Sequence, residues 1–212
     1  MFFVDNLQVV VTRFNEKIDW IQNHTNVKVY QKIDNLQIPY TINGTTFLPN
    51  YGKDAFTHLY HIVENYNYLA DFTLFTQANP FEHDPQFSIE KFRNKDFLGV
   101  CERYGNWCGS IHMPFHGWNR IIHHDKWLKE IESGQLTPAK LTYGEYWDKY
   151  IQKPKPDPEK MIWYHGIIFS ASREVIQKNS KDYYKELLET VSNCKNNEEI
   201  HYFERSIHYI FN

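Results

Sequence analysis

The residues Asn50-Tyr-Gly-Lys-Asp-Ala-Phe-Thr-His-Leu-Tyr-His-Ile-Val-Glu-Asn-Tyr66, followed by Ala70-Asp-Phe-Thr-Leu-Phe-Thr-Gln-Ala-Asn79, decide the fold. Phe56, Leu59, Tyr60, Val63 and Tyr66 recur at the spacing of one helical face, which predicts a helix from about Lys53 to Asn67. The apolar run Phe72 to Phe75 predicts a buried strand from Asp71 to Thr76. A helix opening on Gly-Lys-Asp offers backbone N–H groups and a cation to an anion such as a diphosphate. The strand ends in Gln77-Ala78-Asn79 and delivers polar groups at its carboxyl end, where open α/β sheets bind ligands.

Upstream, Leu7 to Thr12 is a β-branched run that reads as a first buried strand leading into Arg13-Phe14-Asn15-Glu16. A short helix over Lys17 to Asn23 and an alternating strand over Val27 to Gln31 follow, and strand, helix, strand implies parallel pairing. The stretch from Ile38 to Pro49 is loop-like, with Asn43-Gly44 a turn and Thr45 to Leu48 a brief strand.

Downstream, Ser88 caps a short helix through Arg93, and Leu98 to Asn119 reads as strand fragments and loop rich in glycine and aromatics. Helices are expected from about Asn119 to Ser133 and from Thr142 to Tyr150. A strand is expected from Trp163 to Ser170, and a helix capped by Ser172 that runs to Val191. A last helix opens at Asn196 to Glu199 and buries Ile200, Phe203, Ile207 and Ile210 or Phe211. These elements predict one α/β domain over residues 1–212 with a mainly parallel central sheet, whole or as the first domain of a longer protein.

The net charge of −3 leaves no basic footprint for nucleic acid polymers or anionic membranes, so the expected partner is a small or neutral molecule. No apolar run approaches a membrane span, and the amino terminus lacks a signal-peptide pattern; the expectation is a cytoplasmic protein. Cys101, Cys108 and Cys194 cannot all pair internally, which favours a reducing compartment.

Several groups of residues can carry chemistry. Arg13 and Lys53 either neutralise a diphosphate at one sheet edge or serve as solvated surface cations. Gln77 and Asn79 either face a ligand or close the strand through turn hydrogen bonds. Asp54 is a first-turn acid that interacts with the helix dipole. On the last helix, His201, Glu204, Arg205 and His208 share one edge. There Glu204 can take a proton from an acceptor hydroxyl and Arg205 can hold a leaving phosphate, or the edge is a solvated ladder. His58 and His61, and His112, His116, His123 and His124 with Asp125, raise a zinc hydrolase as an alternative, but no metal-binding spacing supports it.

Four motifs, Val9 to Glu16, Leu48 to Tyr66, Phe75 to Pro80 and His201 to Arg205, resemble in the same order a group of glycosyltransferase-like domains of fungi, algae and large DNA viruses. The resemblance spans nearly the whole chain. It implies a GT-A-like fold and transfer of a sugar from a nucleotide-diphosphate donor, a UDP-sugar, with Mn²⁺. The implied acceptor is a hydroxyl of a glycan or glycoprotein, a viral capsid protein among the candidates. It places Thr12 and Arg13 at the nucleotide, Lys53 and Asp54 near the diphosphate or sugar, and Gln77, Ala78 and Asn79 at the metal motif. The family's Asp-x-Asp is missing there, so Asn79 with His208 would hold the metal, or Arg205 would replace it. Glu204, or else Asp54, would be the base, and Trp107, Trp118 and Trp163 would form the acceptor wall. A carbohydrate-binding module on the same fold is the competing reading.

Overall fold

The computed structural model describes residues 6–100, 118–120, 125–157, 161–162 and 164–212. Seven strands form one sheet: β1 (Leu7–Arg13), β2 (Val27–Ile33), β3 (Tyr40–Ile42), β4 (Thr45–Pro49), β5 (Phe72–Gln77), β6 (Phe97–Gly99) and β7 (Phe169–Ser172). Their order across the sheet is β3-β4-β2-β1-β5-β7-β6. The four central strands β4, β2, β1 and β5 run parallel, whereas β3 on β4, β7 on β5 and β6 on β7 are antiparallel. The sheet is therefore mixed, with a parallel centre, where the sequence suggested a mainly parallel one.

Alternation along the parallel strands divides the core. Leu7, Val9 and Val11 of β1 belong to one apolar cluster with Leu74, Phe87, Ile89 and Phe92. Val10 of the same strand packs on the other face with Tyr30 and Phe75, under the main helices. The α-helices among the described residues are α1 (Lys53–Asn65), α2 (Asp125–Glu132), α3 (Tyr143–Tyr146), α4 (Arg173–Ile176), α5 (Lys181–Thr190) and α6 (Glu198–Phe211), and α1, α5 and α6 cover that second face. In α6 the expected stripe of Ile200, Phe203, Ile207, Ile210 and Phe211 is buried. Glu198 is buried too, its carboxylate accepting from Ala139 N at 2.9 Å and Tyr202 Oη at 2.8 Å.

The crossover from β4 through α1 to β5 passes over two strands and opens on an unusual backbone. Gly52 and Lys53 both lie in the left-handed region, at φ 56° and 47°. Gly52 N donates to Cys194 O at 2.9 Å, and a Cβ on Gly52 would meet Val191 O at 2.3 Å. Only glycine fits both the conformation and the space. Asn43 and Gly44, also at positive φ, form the two-residue turn joining β3 and β4, so the stretch read as loop from Ile38 contains a strand.

Other expectations change for local reasons. The helix expected over Lys17 to Asn23 is one 3₁₀ turn, Asp19–Ile21, where the Trp20 indole donates to Ala78 O at 2.7 Å. The helix capped by Ser172 breaks into Arg173–Ile176 and α5, because Ser180 caps a new start by accepting from Tyr183 N at 3.1 Å. The strand expected from Trp163 survives only as β7, since His165–Ile167 is a 3₁₀ turn with Gly166 at φ 71°. The helix expected from Thr142 to Tyr150 does form, opening on Tyr143–Tyr146 with Thr142 capping it through a reciprocal bond to Glu145 and continuing as a π-helical turn over Trp147–Ile151. Further helical structure spans Asp125–Glu132. Among the described residues, no helix is long and apolar enough to cross a membrane.

Gly52→Ala is expected to destabilise the fold by about 2–4 kcal/mol, combining left-handed strain with a clash on a backbone oxygen. Urea unfolding reads this directly, and a change below about 0.5 kcal/mol, the level of a neutral surface substitution, would contradict it.

Candidate functional site

A cleft of about 250 Å³ opens at the carboxyl ends of the parallel strands, lined by Thr12, Phe14, Glu16, Lys32, Asn50, Lys53, Asp54, Gln77, Ala78, Asn79 and Glu82. Register explains the gathering. Thr12 pairs with Gln77 across β1 and β5, and Lys32 lies two residues beyond Tyr30 on β2, so all three share the face that α1 covers. The left-handed start of α1 then brings Lys53 and Asp54 over the strand ends.

Six of the residues singled out in the sequence, Thr12, Lys53, Asp54, Gln77, Ala78 and Asn79, thus surround one hollow. Arg13 does not line it: its Nε donates to Glu16 O at 2.9 Å. Glu16 in turn accepts through Oε2 from Phe14 N and Asn15 N, so Arg13 and Glu16 shape the loop that carries Phe14. Gln77 Nε2 donates to Asn79 O at 2.6 Å, and the turn-forming use of this amide is realised.

The electrostatic centre of the cleft was not legible as such in the sequence. Lys32 is 3% exposed, its Nζ donating to Tyr51 O at 2.6 Å and lying 4.5 Å from the centre of the Phe56 ring. Burial pushes this ammonium down to about 7, against the pull of the Asp54 charge. Burial likewise raises Asp54 to about 6, opposed by Lys32, the Thr12 hydroxyl and Lys53. Thr12 Oγ1 is buried and has no hydrogen-bond partner of normal geometry among the described residues. The one signal in the sequence was a lysine placed on the same strand face as Tyr30. Phe14, Glu16, Asn50 and Glu82 carried no signal beyond their nearness to strand ends.

The α6 residues form a separate group. Glu204 Oε1 accepts from Gly166 N at 2.9 Å, and its Oε2 lies 3.6 Å from His201 Nδ1 and 3.9 Å from Arg205 Nη1. Trp127 stacks on His201 with centroids 4.6 Å apart, and Arg205 lies over the same indole at 5.6 Å. The solvated ladder is excluded, since these side chains are largely buried. Phe169 pairs with Phe75, which brings the 165–168 turn to the edge where β5 ends. His83, just past the cleft residue Glu82, packs so close that a Cβ on Gly166 would meet its ring at 2.5 Å. Burial pushes the His201 imidazole below its usual value against the pull of Glu204, with the Arg205 and then the Lys53 charge adding to the lowering.

His208 bonds Tyr164 Oη at 3.2 Å and Asn212 at 3.1 Å and does not line the cleft with Asn79. His58 and His61 are core residues, both held near 3 by burial, with His61 bonded to Tyr30 Oη at 2.9 Å. Among the described residues, no group of three or more His, Cys, Asp and Glu side chains converges on a metal position. Trp118 packs into an aromatic cluster with Tyr143 and Trp147, whereas Trp107, Trp163, His112, His116, His123 and His124 lie outside the described residues.

Lys32 leaves a signature in stability. Between about 7 and its ordinary 10.5, the unfolded chain binds a proton that the folded chain does not, so stability rises with pH across that window. The slope is at most about 1.4 kcal/mol per pH unit. Lys32→Met is expected to remove this rise, and parallel wild-type and variant profiles in urea unfolding from pH 7 to 10 would contradict it.

Residues 9–212 match the model of a family described as a protein of unknown function, DUF3431, and the chain belongs to that family. No curated protein and no solved structure matches the chain.

Proposed function

We propose that this member of the DUF3431 family is a glycosyltransferase that moves a sugar from a nucleotide-diphosphate donor, a UDP-sugar, to a hydroxyl of a glycan or glycoprotein. The observation that carries the reading is the cleft itself: Thr12, Lys53–Asp54 and Gln77–Asn79, from three distant stretches, meet at the carboxyl edge of a parallel sheet centre. A second hollow of about 550 Å³, lined by Gln135, Thr137, Cys194 and Asn196, shares Lys53 with the cleft and gives a donor and acceptor more room than 250 Å³.

The chemistry follows from charge. Departure of a diphosphate builds negative charge on the leaving group, and a fixed cation there lowers the barrier most. Lys53, at the junction of the two hollows and the start of α1, supplies one, with the helix amino terminus adding its dipole. Phe14 offers the nucleobase an aromatic face. Glu204, held by the Gly166 N–H where β5 ends, lines neither hollow and is the base that the sequence resemblance assigns to the acceptor hydroxyl. Arg205 and His201 fix that carboxylate's position. Asp54 is occupied with the buried Lys32 and is assigned to structure in the cleft.

Mn²⁺ would supply further charge to the leaving diphosphate. The described residues offer it no set of three His, Cys, Asp or Glu ligands, so phosphate oxygens would have to complete its shell beside one or two groups such as Asn79. The self-satisfied Gln77 amide is the observation that favours a carbohydrate-binding module instead.

UDP-glucose, screened with and without Mn²⁺, is expected to raise the melting temperature, and Lys53→Ala to weaken its affinity roughly tenfold. Glu204→Gln is expected to lower kcat about 10²-fold or more while leaving donor binding intact. A protein stabilised by oligosaccharides but by no nucleotide-sugar under any metal condition is a binding module, and the transferase reading fails.

A further inference from the structure

Lys32 is a costly side chain to bury in the cleft. An ammonium has three donors, and among the described residues Lys32 Nζ makes one hydrogen bond, to the neutral carbonyl of Tyr51. Its other neighbours are the Phe56 ring and the Asp54 carboxylate, itself raised by burial. A methionine of similar shape would spare the desolvation cost of a charge that is 3% exposed. On the next strand, the buried hydroxyl of Thr12 makes no hydrogen bond of ordinary distance and angle among the described residues, and the group it acts on is the Asp54 carboxylate. Lys32 Nζ, with donors to spare, and the Thr12 hydroxyl thus line one cavity from β2 and β1, and a buried ammonium left this way calls for a further acceptor.

Resting on the nucleotide-sugar reading above, we propose that Lys32 is the buried phosphate anchor of the cleft, and that a phosphate oxygen accepting from Lys32 Nζ and Thr12 Oγ1 binds together with a proton. The proton comes from solvent onto the Lys32 amine, and no covalent bond is made or broken. A tetrahedral phosphate fits because it presents several acceptor oxygens and a charge that offsets the ammonium.

The groups facing Lys32 set the pH range. From α1, Asp54 and His58 act on it directly; Lys53 from α1 and Glu16 from the loop after β1 act on Asp54, and Glu82 from the turn after β5 lines the same cleft. His58, held near 3, stays neutral above pH 6, and Asp54 is ionised above about 6. With Lys32 near 7, most molecules at pH 8 carry the neutral amine, and an arriving phosphate draws the proton back. Affinity is therefore highest at pH 6 to 7 and falls as pH rises, by up to about tenfold per unit.

The test is titration calorimetry with UDP-glucose, whose diphosphate keeps one charge throughout, from pH 6.5 to 9 in buffers of different ionisation heat, with and without Mn²⁺. The wild type is expected to take up close to one proton at pH 8.5 and to lose affinity with rising pH. Lys32→Met is expected to bind roughly 10–100-fold more weakly at pH 6.5 without proton uptake, while its ligand-free form melts at or above the wild-type temperature. Thr12→Val, which keeps the side-chain shape, is expected to weaken binding several-fold and retain proton uptake. Binding by Lys32→Met within twofold of wild type, or wild-type binding without proton uptake, overturns the anchor alone. A wild type that binds no nucleotide-sugar overturns the transferase reading and the anchor together.

Discussion

The packing of Gly52 against Val191 and Cys194 determines where everything else at the strand edge can sit. The backbone turns left-handed twice, at Gly52 and Lys53, before α1 begins, and the Gly52 N–H is fixed on Cys194 O. This lets α1 start directly over the carboxyl ends of β1 and β2 rather than beyond them. Lys53 and Asp54 enter the cleft for that reason, and α1 then lays its apolar side on Val10, Tyr30 and Phe75. A bulkier residue at position 52 would push the helix start away from the strands, which links a backbone constraint in the fold to the geometry of the site.

The cleft uses burial to tune charge. Lys32 and Asp54 sit close enough to attract each other, yet desolvation dominates both and pushes each toward its neutral form near neutral pH. Such a pair contributes little to stability compared with an apolar replacement. Its value lies in responsiveness, since a small change in local charge moves the proton population. The α6 group is built differently: Glu204, Arg205 and His201 are held among themselves, by Trp127 and by the Gly166 N–H. One part of the strand edge is thus under-satisfied and open, the other locked in place.

Much of this was legible in the sequence because it rests on local patterns. The β-branched run at Val9 to Val11, the helical spacing from Phe56 to Val63 and the apolar run before Gln77 each specify an element, and parallel connectivity then places their carboxyl ends together. What was missed depends on non-local geometry. Tyr40–Ile42 becomes a strand only because the Asn43-Gly44 turn folds it onto β4. Ser180 interrupts a helix whose apolar spacing continues through it. Arg13 turns away from the cleft to hold Glu16 O, and Lys32 turns into it because α1 covers that strand face. Alternation along β1 and β2 already sets Arg13 opposite Thr12 and Lys32 with Tyr30; which of the two faces α1 would cover is the non-local fact that periodicity does not encode.

A crystal structure of the protein with UDP-glucose tests the central claim most directly. The account predicts the diphosphate inside the cleft, within hydrogen-bonding distance of Lys53 and beside Thr12, with the sugar directed toward the hollow that Lys53 shares. A nucleotide-sugar bound at another surface, leaving the Thr12, Lys53 and Asn79 hollow empty, would contradict it.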